Sequence, residues 1–162
     1  MTIAYLCKSP EGTQAVAEAL ASSLRPGDLI ALIGPLGAGK TCFVAGLARG
    51  LGVEGRVASP SFIVARYHPG PRPLLHADAY RLASPAELVE AGLDEYLGFA
   101  VVAVEWADRV VEVLPADRLE VRLTPVEEGR RVELVGTEGR GLAIVEERQH
   151  DPVSHRDVEP AG

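Results

Sequence analysis

Residues 29–52, LIALIGPLGAGKTCFVAGLARGLG, predict a buried strand, a glycine-rich loop and a helix in direct succession. The stretch begins with a continuous apolar run at residues 29–33, which is typical of a strand covered on both faces. The apolar residues after the loop have the spacing of one helical face; they are Phe43, Val44, Leu47, Ala48 and Leu51. Since a strand that leads through a loop into a helix begins a βαβ unit, the stretch predicts an α/β domain.

The loop, GPLGAGKT at residues 34–41, satisfies the phosphate-binding pattern G-x-x-x-x-G-K-[ST] in full. Its glycines allow successive backbone N–H groups to point at phosphate oxygens, and the start of the following helix adds positive charge. Lys40 is predicted to reach the β- and γ-phosphates of ATP or ADP, and the Thr41 hydroxyl to bind Mg²⁺. The predicted nucleotide site consists of Gly34, Pro35, Leu36, Gly37, Ala38, Gly39, Lys40, Thr41 and Cys42.

Two carboxylates follow apolar runs that are predicted to be strands, and both are candidates for the chemistry of this site. Glu105 follows residues 100–104, and Asp78 follows residues 74–77. An ATPase with such a loop needs acids that hold the metal or orient the attacking water. Together with Lys40, these two acids are the predicted catalytic residues. Their spacing leaves open which of them positions the water.

Three neighbouring side chains have more than one interpretation. His76 either ligates a metal together with Asp78 or is a hydrogen-bonded structural residue. Trp106, the single tryptophan, either packs in the core or contacts the metal site or a partner. Cys42, at the start of the helix, either has a lowered thiol pKa or fills a small buried space. The structural role is the favoured interpretation for all three.

The remaining pattern predicts one P-loop NTPase-like α/β domain with a mixed, mainly parallel central sheet, flanking helices and a C-terminal antiparallel meander. A helix start at residues 9–10 follows a short predicted edge strand. The predicted strands outside the loop region are 3–7, 62–67 and 73–80 as a hairpin, 100–104, and the meander at 119–123, 132–135 and 142–145. The domain is assigned to residues 1–148, and the polar segment 149–162 is predicted to be a disordered tail.

Composition and charge restrict the classes of partner. The chain has 162 residues, 47% of them hydrophobic and 24% charged, with a formal net charge of −7. Lys8 and Lys40 are its two lysines, so direct nucleic-acid binding is not expected, because that needs clustered basic residues. No apolar run is long enough to span a membrane, no signal-peptide pattern is visible, and the two cysteines lack metal-ligand spacing. A cytoplasmic location without membrane contact is predicted.

Four motifs, in this order, make the chain resemble the TsaE family, also called YjeE. They are GPLGAGKTCFVAGLARGLG at 34–52, SPSF at 59–62, HADAYRL at 76–82 and VEW at 104–106. The resemblance implies a bacterial ATPase required for the threonylcarbamoyladenosine modification of tRNA, at the adenosine beside the anticodon. It also implies TsaB and TsaD as partner proteins, with tRNA contacted only through their complex.

The resemblance further implies roles for individual residues. Thr41 and Glu105 correspond to magnesium ligands, and Asp78 to a water-positioning or metal-linked carboxylate. Ser59 and Ser61 correspond to a switch loop near the γ-phosphate. Most relatives have threonine at the position of Ser61, so a hydroxyl is retained there with a less restricted rotamer.

Other correspondences concern the nucleoside end of the site. Thr13 and an arginine before the late strand, Arg130 or Arg131, correspond to residues that frame adenine or ribose, and Arg131 is the arginine assigned to the site. Pro35 stands where an aspartate is common, and only its backbone is expected to face the loop.

The alternative function is a P-loop kinase that phosphorylates a small molecule. Such kinases usually carry an arginine-bearing lid, and Arg81 is the only arginine between Asp78 and Glu105. The favoured interpretation is a nucleotide-dependent switch that acts on TsaB–TsaD and hydrolyses ATP slowly when alone.

Overall fold

In the computed structural model, which describes residues 1–53 and 64–162, the described strands form one eight-stranded sheet. They are Thr2–Cys7 (β1), Leu29–Ile33 (β2), Ala65–His68 (β3), Leu74–Asp78 (β4), Val101–Glu105 (β5), Leu119–Val126 (β6), Gly129–Val135 (β7) and Val158–Ala161 (β8). The helices are Pro10–Ala21 (α1), Lys40–Leu51 (α2), Ala86–Glu90 (α3), Leu93–Leu97 (α4) and Gly139–Gln149 (α5). Short 3-10 turns lie at Ala107–Arg109 and Val111–Val113. In the part of the chain thus described, each helix is too short or too polar to cross a membrane.

The strands lie in the order β3-β4-β5-β2-β6-β7-β1-β8, and the centre of the sheet is parallel. Strands β4, β5, β2 and β6 pair in parallel, whereas β3 and the strands beyond β6 pair antiparallel. The mixed α/β sheet with flanking helices is therefore confirmed, as is the predicted hairpin of β3 and β4.

Two hydrophobic cores cover the faces of the parallel centre. Along β2, Ile30 and Leu32 face a first core shared with α1, α2 and α5, while Leu29 and Ala31 face a second core under α3 and α4. Because successive side chains of a strand point to opposite faces, a strand with a helix layer on each side must be apolar at every position. This burial explains the uninterrupted run of residues 29–33.

Parallel pairing brings the carboxyl ends of β2, β4 and β5 to one edge of the sheet. Leu32 is paired with Glu105, and Glu105 with Asp78 on its other side. The glycine-rich loop leaves β2 at the same edge, which is where open α/β sheets bind ligands. Topology alone thus assembles the loop and both predicted acids.

The strand predicted at residues 142–145 is wrong, because this stretch lies inside α5. The apolar run Leu142–Val145 is short enough to suggest a strand. The residues that α5 buries are instead spaced as on one helical face, and they are Gly141, Ile144, Val145 and Arg148. The predicted meander is therefore a hairpin of β6 and β7 that continues antiparallel into β1.

The C-terminal segment also differs from its prediction. Residues 158–161 form β8, which pairs with β1, so disorder is wrong for these residues and β1 is not an edge strand. Val158 is buried in the first core, and Glu159 forms an ion pair with Lys8. The Ser9 hydroxyl, which caps α1, donates to Asp157 at 2.7 Å. This short segment is held because the outer side of β1 offers a free row of backbone partners.

Candidate nucleotide and metal site

The loop between β2 and α2 has the backbone expected of a phosphate-binding loop. Gly37 and Gly39 have φ values of 78° and 101°, a left-handed conformation that side-chain-bearing residues rarely adopt. Gly39 caps α2, which begins at Lys40. The first N–H groups of a helix lack intrahelical partners, so the loop opens onto an anion-binding helix start.

The start of the loop is pressed against the neighbouring strand. A Cβ atom at Gly34 would lie 2.5 Å from the backbone oxygen of Leu123 in β6. Real Cβ atoms do not approach so closely, so only glycine fits here without a shift of the backbone. The close contact ties the position of the loop to the β6–β7 hairpin.

Lys40 is folded back onto its own loop. Its Nζ donates to the backbone oxygens of Gly34 at 2.6 Å and Pro35 at 2.9 Å, and lies 4.0 Å from the centre of the Trp106 ring. Burial lowers the pKa of the Lys40 ammonium, while nearby carboxylates, Glu105 foremost, act in the opposite direction. The ammonium is held by two carbonyl oxygens and an aromatic face.

Thr41 and Glu105, the predicted metal ligands, are in contact. The Thr41 hydroxyl lies 3.0 Å from each carboxylate oxygen of Glu105, which is 4% exposed. His76 Nε2 lies 2.5 Å from Glu105 Oε2, and it must donate because a carboxylate only accepts. His76 therefore orients Glu105, as the structural interpretation of this histidine predicts.

The oxygens of this pair fit a magnesium ion. Mg²⁺ prefers hydroxyl and carboxylate oxygens and usually takes one or two protein ligands, with waters and substrate phosphates completing its octahedron. In residues 1–53 and 64–162, no group of three or more His, Cys, Asp or Glu side chains is arranged to hold a metal. A two-ligand site of Thr41 and Glu105 that depends on phosphate is consistent with both observations.

Asp78 lies beside Glu105 in the sheet, where the last residues of β4 and β5 are paired. Its Oδ1 accepts a hydrogen bond of 2.9 Å from the backbone N–H of Tyr80, so the chain turns sharply after the strand. This turn keeps the second carboxylate at the loop edge of the sheet. Asp78 is less buried than Glu105, which suits an acid that contacts water.

Trp106 follows Glu105 in a conformation that is unusual for a bulky residue. Its φ of 57° is the only positive value among the described residues other than glycine. Its ring centre lies 4.9 Å from that of Tyr80, and the guanidinium of Arg109 lies over both rings at 4.9 and 5.6 Å. Trp106 is thus half-buried between Lys40 and an exposed stack, rather than a core residue.

An arginine of β7 holds the loop from the outside. Arg130 donates through Nε to the backbone oxygen of Ala38 at 3.1 Å and through Nη2 to that of Gly37 at 3.0 Å. Arg131 points to the opposite face of the sheet, where it contacts Glu133 and the backbone oxygen of Gly162. Arg130 therefore contacts the loop, whereas Arg131, the arginine assigned to the site from the sequence, lies on the other face of the sheet, and its role at adenine or ribose stays a prediction.

Replacing Arg130 with alanine is expected to weaken ATP binding about tenfold, which corresponds to about 1.4 kcal/mol. The fork of two charged hydrogen bonds fixes the loop before nucleotide arrives, and its loss adds an ordering cost to binding. The equally half-buried Arg131→Ala is the matched control and should stay within about twofold of wild type. Calorimetric titration measures both, and equal losses would contradict the assignment.

Comparison with known proteins identifies the family. The sequence profile described as "Threonylcarbamoyl adenosine biosynthesis protein TsaE" matches residues 7–132. The chain belongs to the TsaE family. A TsaE relative from Bacillus subtilis is 40% identical over 151 residues, covering 91% of this chain and 94% of its own. One from Streptomyces coelicolor is 50% identical over 109 residues, covering 64% of this chain and 73% of its own.

A solved structure agrees with the fold over nearly the whole chain. The crystal structure of Bacillus subtilis YdiB superimposes with a TM-score of 0.80 at 34% sequence identity. The match covers 94% of this chain and 97% of that one. The α/β arrangement with its parallel centre and antiparallel flank is therefore shared with that solved structure.

The remaining residues that the TsaE resemblance implied are placed as follows. Ser59 and Ser61 lie outside the described residues, so their switch role stays a prediction. Thr13 is 2% exposed and hydrogen-bonds the Cys7 thiol, and its role at adenine or ribose also stays a prediction. Burial raises the pKa of the Cys42 thiol, whose Sγ lies 3.6 Å from the Pro10 oxygen, which favours packing over redox chemistry.

Sequence reasoning missed the support around these residues. Arg130 contacts a loop that is distant from it in the chain. Arg109 is close to Trp106 in the sequence, but its stacking on that ring depends on how the chain folds after β5. The positions of Tyr80, Trp106 and Arg109 in the sequence follow no helix or strand periodicity that would predict their contact. Only the strand-end position of Trp106, beside Glu105, marked it as unusual.

Proposed function

We propose that the chain is an Mg²⁺-dependent ATPase of tRNA threonylcarbamoyladenosine biosynthesis that acts as a nucleotide-dependent switch on the TsaB–TsaD pair. The observation that carries the proposal is the contact of Thr41 with Glu105, 3.0 Å to each carboxylate oxygen, beside the buried Lys40. Such a hydroxyl, carboxylate and ammonium at the end of a parallel strand have the properties needed to bind a metal–nucleotide complex.

Each residue has a distinct task in this proposal. The loop N–H groups and Lys40 bind the phosphates, and Thr41 and Glu105 hold Mg²⁺, which offsets phosphate charge when bound. His76 keeps the Glu105 carboxylate turned toward Thr41. Asp78 orients the attacking water, since it is the more exposed of the two acids and ends the adjacent strand.

The contacts of Lys40 support a switch. In the present conformation its ammonium bonds the oxygens of Gly34 and Pro35 and lies over Trp106. Phosphates would compete for that ammonium and so alter the environment of Trp106 and the stacked Tyr80, which is 45% exposed. A ligand shifts a conformational equilibrium only through such differential contacts. Nucleotide occupancy would thereby be transmitted to an exposed surface.

Charge supports an indirect relation to tRNA. The net charge of −7 disfavours a direct contact with a polyanion. The relatives from Bacillus subtilis and Streptomyces coelicolor carry the name tRNA threonylcarbamoyladenosine biosynthesis protein TsaE. A role through partner proteins reconciles this name with an acidic chain. The cytoplasmic location that composition predicts belongs to the same proposal.

Reconstitution is the decisive test. Purified TsaB, TsaD, unmodified tRNA, ATP and the threonylcarbamoyl donor are incubated with and without this chain, and modified adenosine is counted by mass spectrometry. We expect several rounds of modification per TsaB–TsaD pair only when the wild-type chain is present, and none above background with Lys40→Ala. Equal modification without the chain would refute the pathway role.

No described feature favours the alternative of a small-molecule kinase. Between β4 and β5 the chain forms two five-residue helices, α3 and α4, and Arg81 is the only arginine in this interval. A kinase lid would need arginines that close over the transferred phosphoryl group. Rapid phosphorylation of a metabolite by the purified chain would nevertheless replace the switch proposal.

A further inference from the structure

Three aromatic rings form a cluster on the surface of the protein. The ring centres of Tyr67 and Tyr96 are 5.5 Å apart, those of Tyr96 and Phe99 5.4 Å, and those of Tyr67 and Phe99 6.0 Å. Tyr67 is 40% exposed and Phe99 48%. We call these three residues the aromatic surface. The chain has eight Phe, Trp and Tyr residues in all, and this cluster brings three of them together, with Tyr96 also packed against the second core.

The aromatic surface lies at the end of the sheet opposite the nucleotide site. Tyr67 in β3 is paired with Leu75, near the start of β4, and Phe99 lies two residues before Val101, where β5 starts. The nucleotide site lies at the other ends of these strands, at Asp78 and Glu105. The proposed functions of the two regions can therefore be separated by substitution.

The surroundings of the aromatic surface are acidic. Residues 82–108 contain no lysine or arginine, and α3 and α4 carry Glu87, Glu90, Asp94 and Glu95. Tyr67 shares the sheet face of Leu75, which belongs to the second core under α3 and α4. The exposed Arg66 lies on the other face, because successive strand residues alternate. Tyr96 and Phe99 thus belong to an acidic segment, in which Asp94 and Glu95 directly precede Tyr96 on α4.

Exposed aromatic clusters are uncommon on protein surfaces and are typical of binding sites. Tyrosine and other aromatic rings contribute large contact area with little loss of side-chain entropy, which makes them frequent anchors of interfaces. The rings here also contact one another, so their arrangement is held in place before a partner arrives. Such preorganisation lowers the entropic cost of association.

We propose that the aromatic surface is a docking site for a partner protein that presents aliphatic or proline side chains within a ring of lysines and arginines. Charge complementarity selects this occupant. A second copy of the chain would bring Asp94 and Glu95 against the same acids, and a nucleic acid would bring phosphates against them. The inference rests on the proposed function, in that TsaB–TsaD is taken as the partner.

Binding of the full-length chain to purified TsaB–TsaD tests the docking site. We expect Tyr67→Ser with Phe99→Ser to weaken binding at least tenfold while ATP affinity stays within twofold. The matched control is Val111→Ser with Val126→Ser, which removes two other exposed apolar side chains, each 39% exposed, and should bind as wild type does. Circular dichroism and nucleotide titration establish that the variants are folded.

A charge-reversal variant tests the complementarity directly. Asp94→Lys with Glu95→Lys should weaken binding about threefold to tenfold, and added salt should weaken the wild type more than this variant. If the wild type binds TsaB–TsaD and the serine pair binds equally well, the docking site is refuted and the proposed function stands. If the wild type does not bind at all, both fail. Self-association that the serine pair abolishes would replace the partner with a second copy.

Discussion

Lys40→Ala is expected to lower the affinity for ATP and ADP at least about 100-fold, or about 2.7 kcal/mol. Hydrogen bonds to charged groups each contribute roughly 1.5–3 kcal/mol, and this ammonium can contact two phosphates. The loss should be large because Lys40 is 5% exposed, and charge interactions are stronger in a partly dehydrated site than in water. Its carbonyl partners, Gly34 and Pro35, would also lose their donor.

The chain offers a matched control in its second lysine. Lys8 pairs with Glu159 at the surface, and Lys8→Ala should leave nucleotide affinity unchanged within about twofold. Isothermal titration with ATP and ADP, with and without Mg²⁺, measures both variants. A Lys40→Ala protein that is folded and still binds ATP as wild type does would remove the basis of the proposed function.

Glu105→Gln and Thr41→Ala are expected to reduce Mg²⁺-dependent ATP hydrolysis by about 100-fold to 1,000-fold, the range for loss of one preorganised electrostatic group. Affinity for ADP without Mg²⁺ should change only a few-fold, because the loop amides and Lys40 remain. The glutamine keeps the size of the Glu105 side chain and can still hydrogen-bond His76 and Thr41, which limits any effect on folding.

A panel of three carboxylate variants separates the metal ligand from the water-positioning acid. Single-turnover hydrolysis is measured against Mg²⁺ concentration for Glu105→Gln, Asp78→Asn and the exposed control Glu112→Gln. Glu105→Gln should need much more Mg²⁺, Asp78→Asn should lower the rate at saturating Mg²⁺, and Glu112→Gln should match wild type. The reverse pattern for the first two would exchange their roles.

The sequence predicts those parts of the site whose residues lie together in a continuous segment of the chain. The loop at residues 34–41 carries its own glycines, and Asp78 and Glu105 follow apolar runs, so their meeting at one edge follows from parallel pairing. The sequence could not decide whether Arg130 or Arg131 contacts the glycine-rich loop. The choice depends on the register of β7, which sets which arginine shares a face with buried Val132 and reaches the loop.

The wrong secondary-structure predictions concern elements that depend on contacts with distant segments of the chain. The run Leu142–Val145 is apolar over four residues, and only its packing against β6, β7 and β1 decides for a helix. Residues 158–161, VEPA, are too short and contain a proline, so they have little strand signal of their own, yet β1 provides them with a backbone partner. In both cases a distant segment supplied the stabilising contact that local propensity lacked.

The strand β8 has a consequence for fragments that are shortened at the C-terminal end. The family profile ends at residue 132, but Val158–Ala161, which pair with the outer side of β1, lie well beyond that point. A fragment cut before residue 157 would leave β1 as a bare sheet edge and the cap of α1 without Asp157. Unprotected edges pair with other chains, so such a fragment would be prone to aggregate. Residues 158–161 therefore cover the backbone of β1 and keep that strand from pairing with other copies.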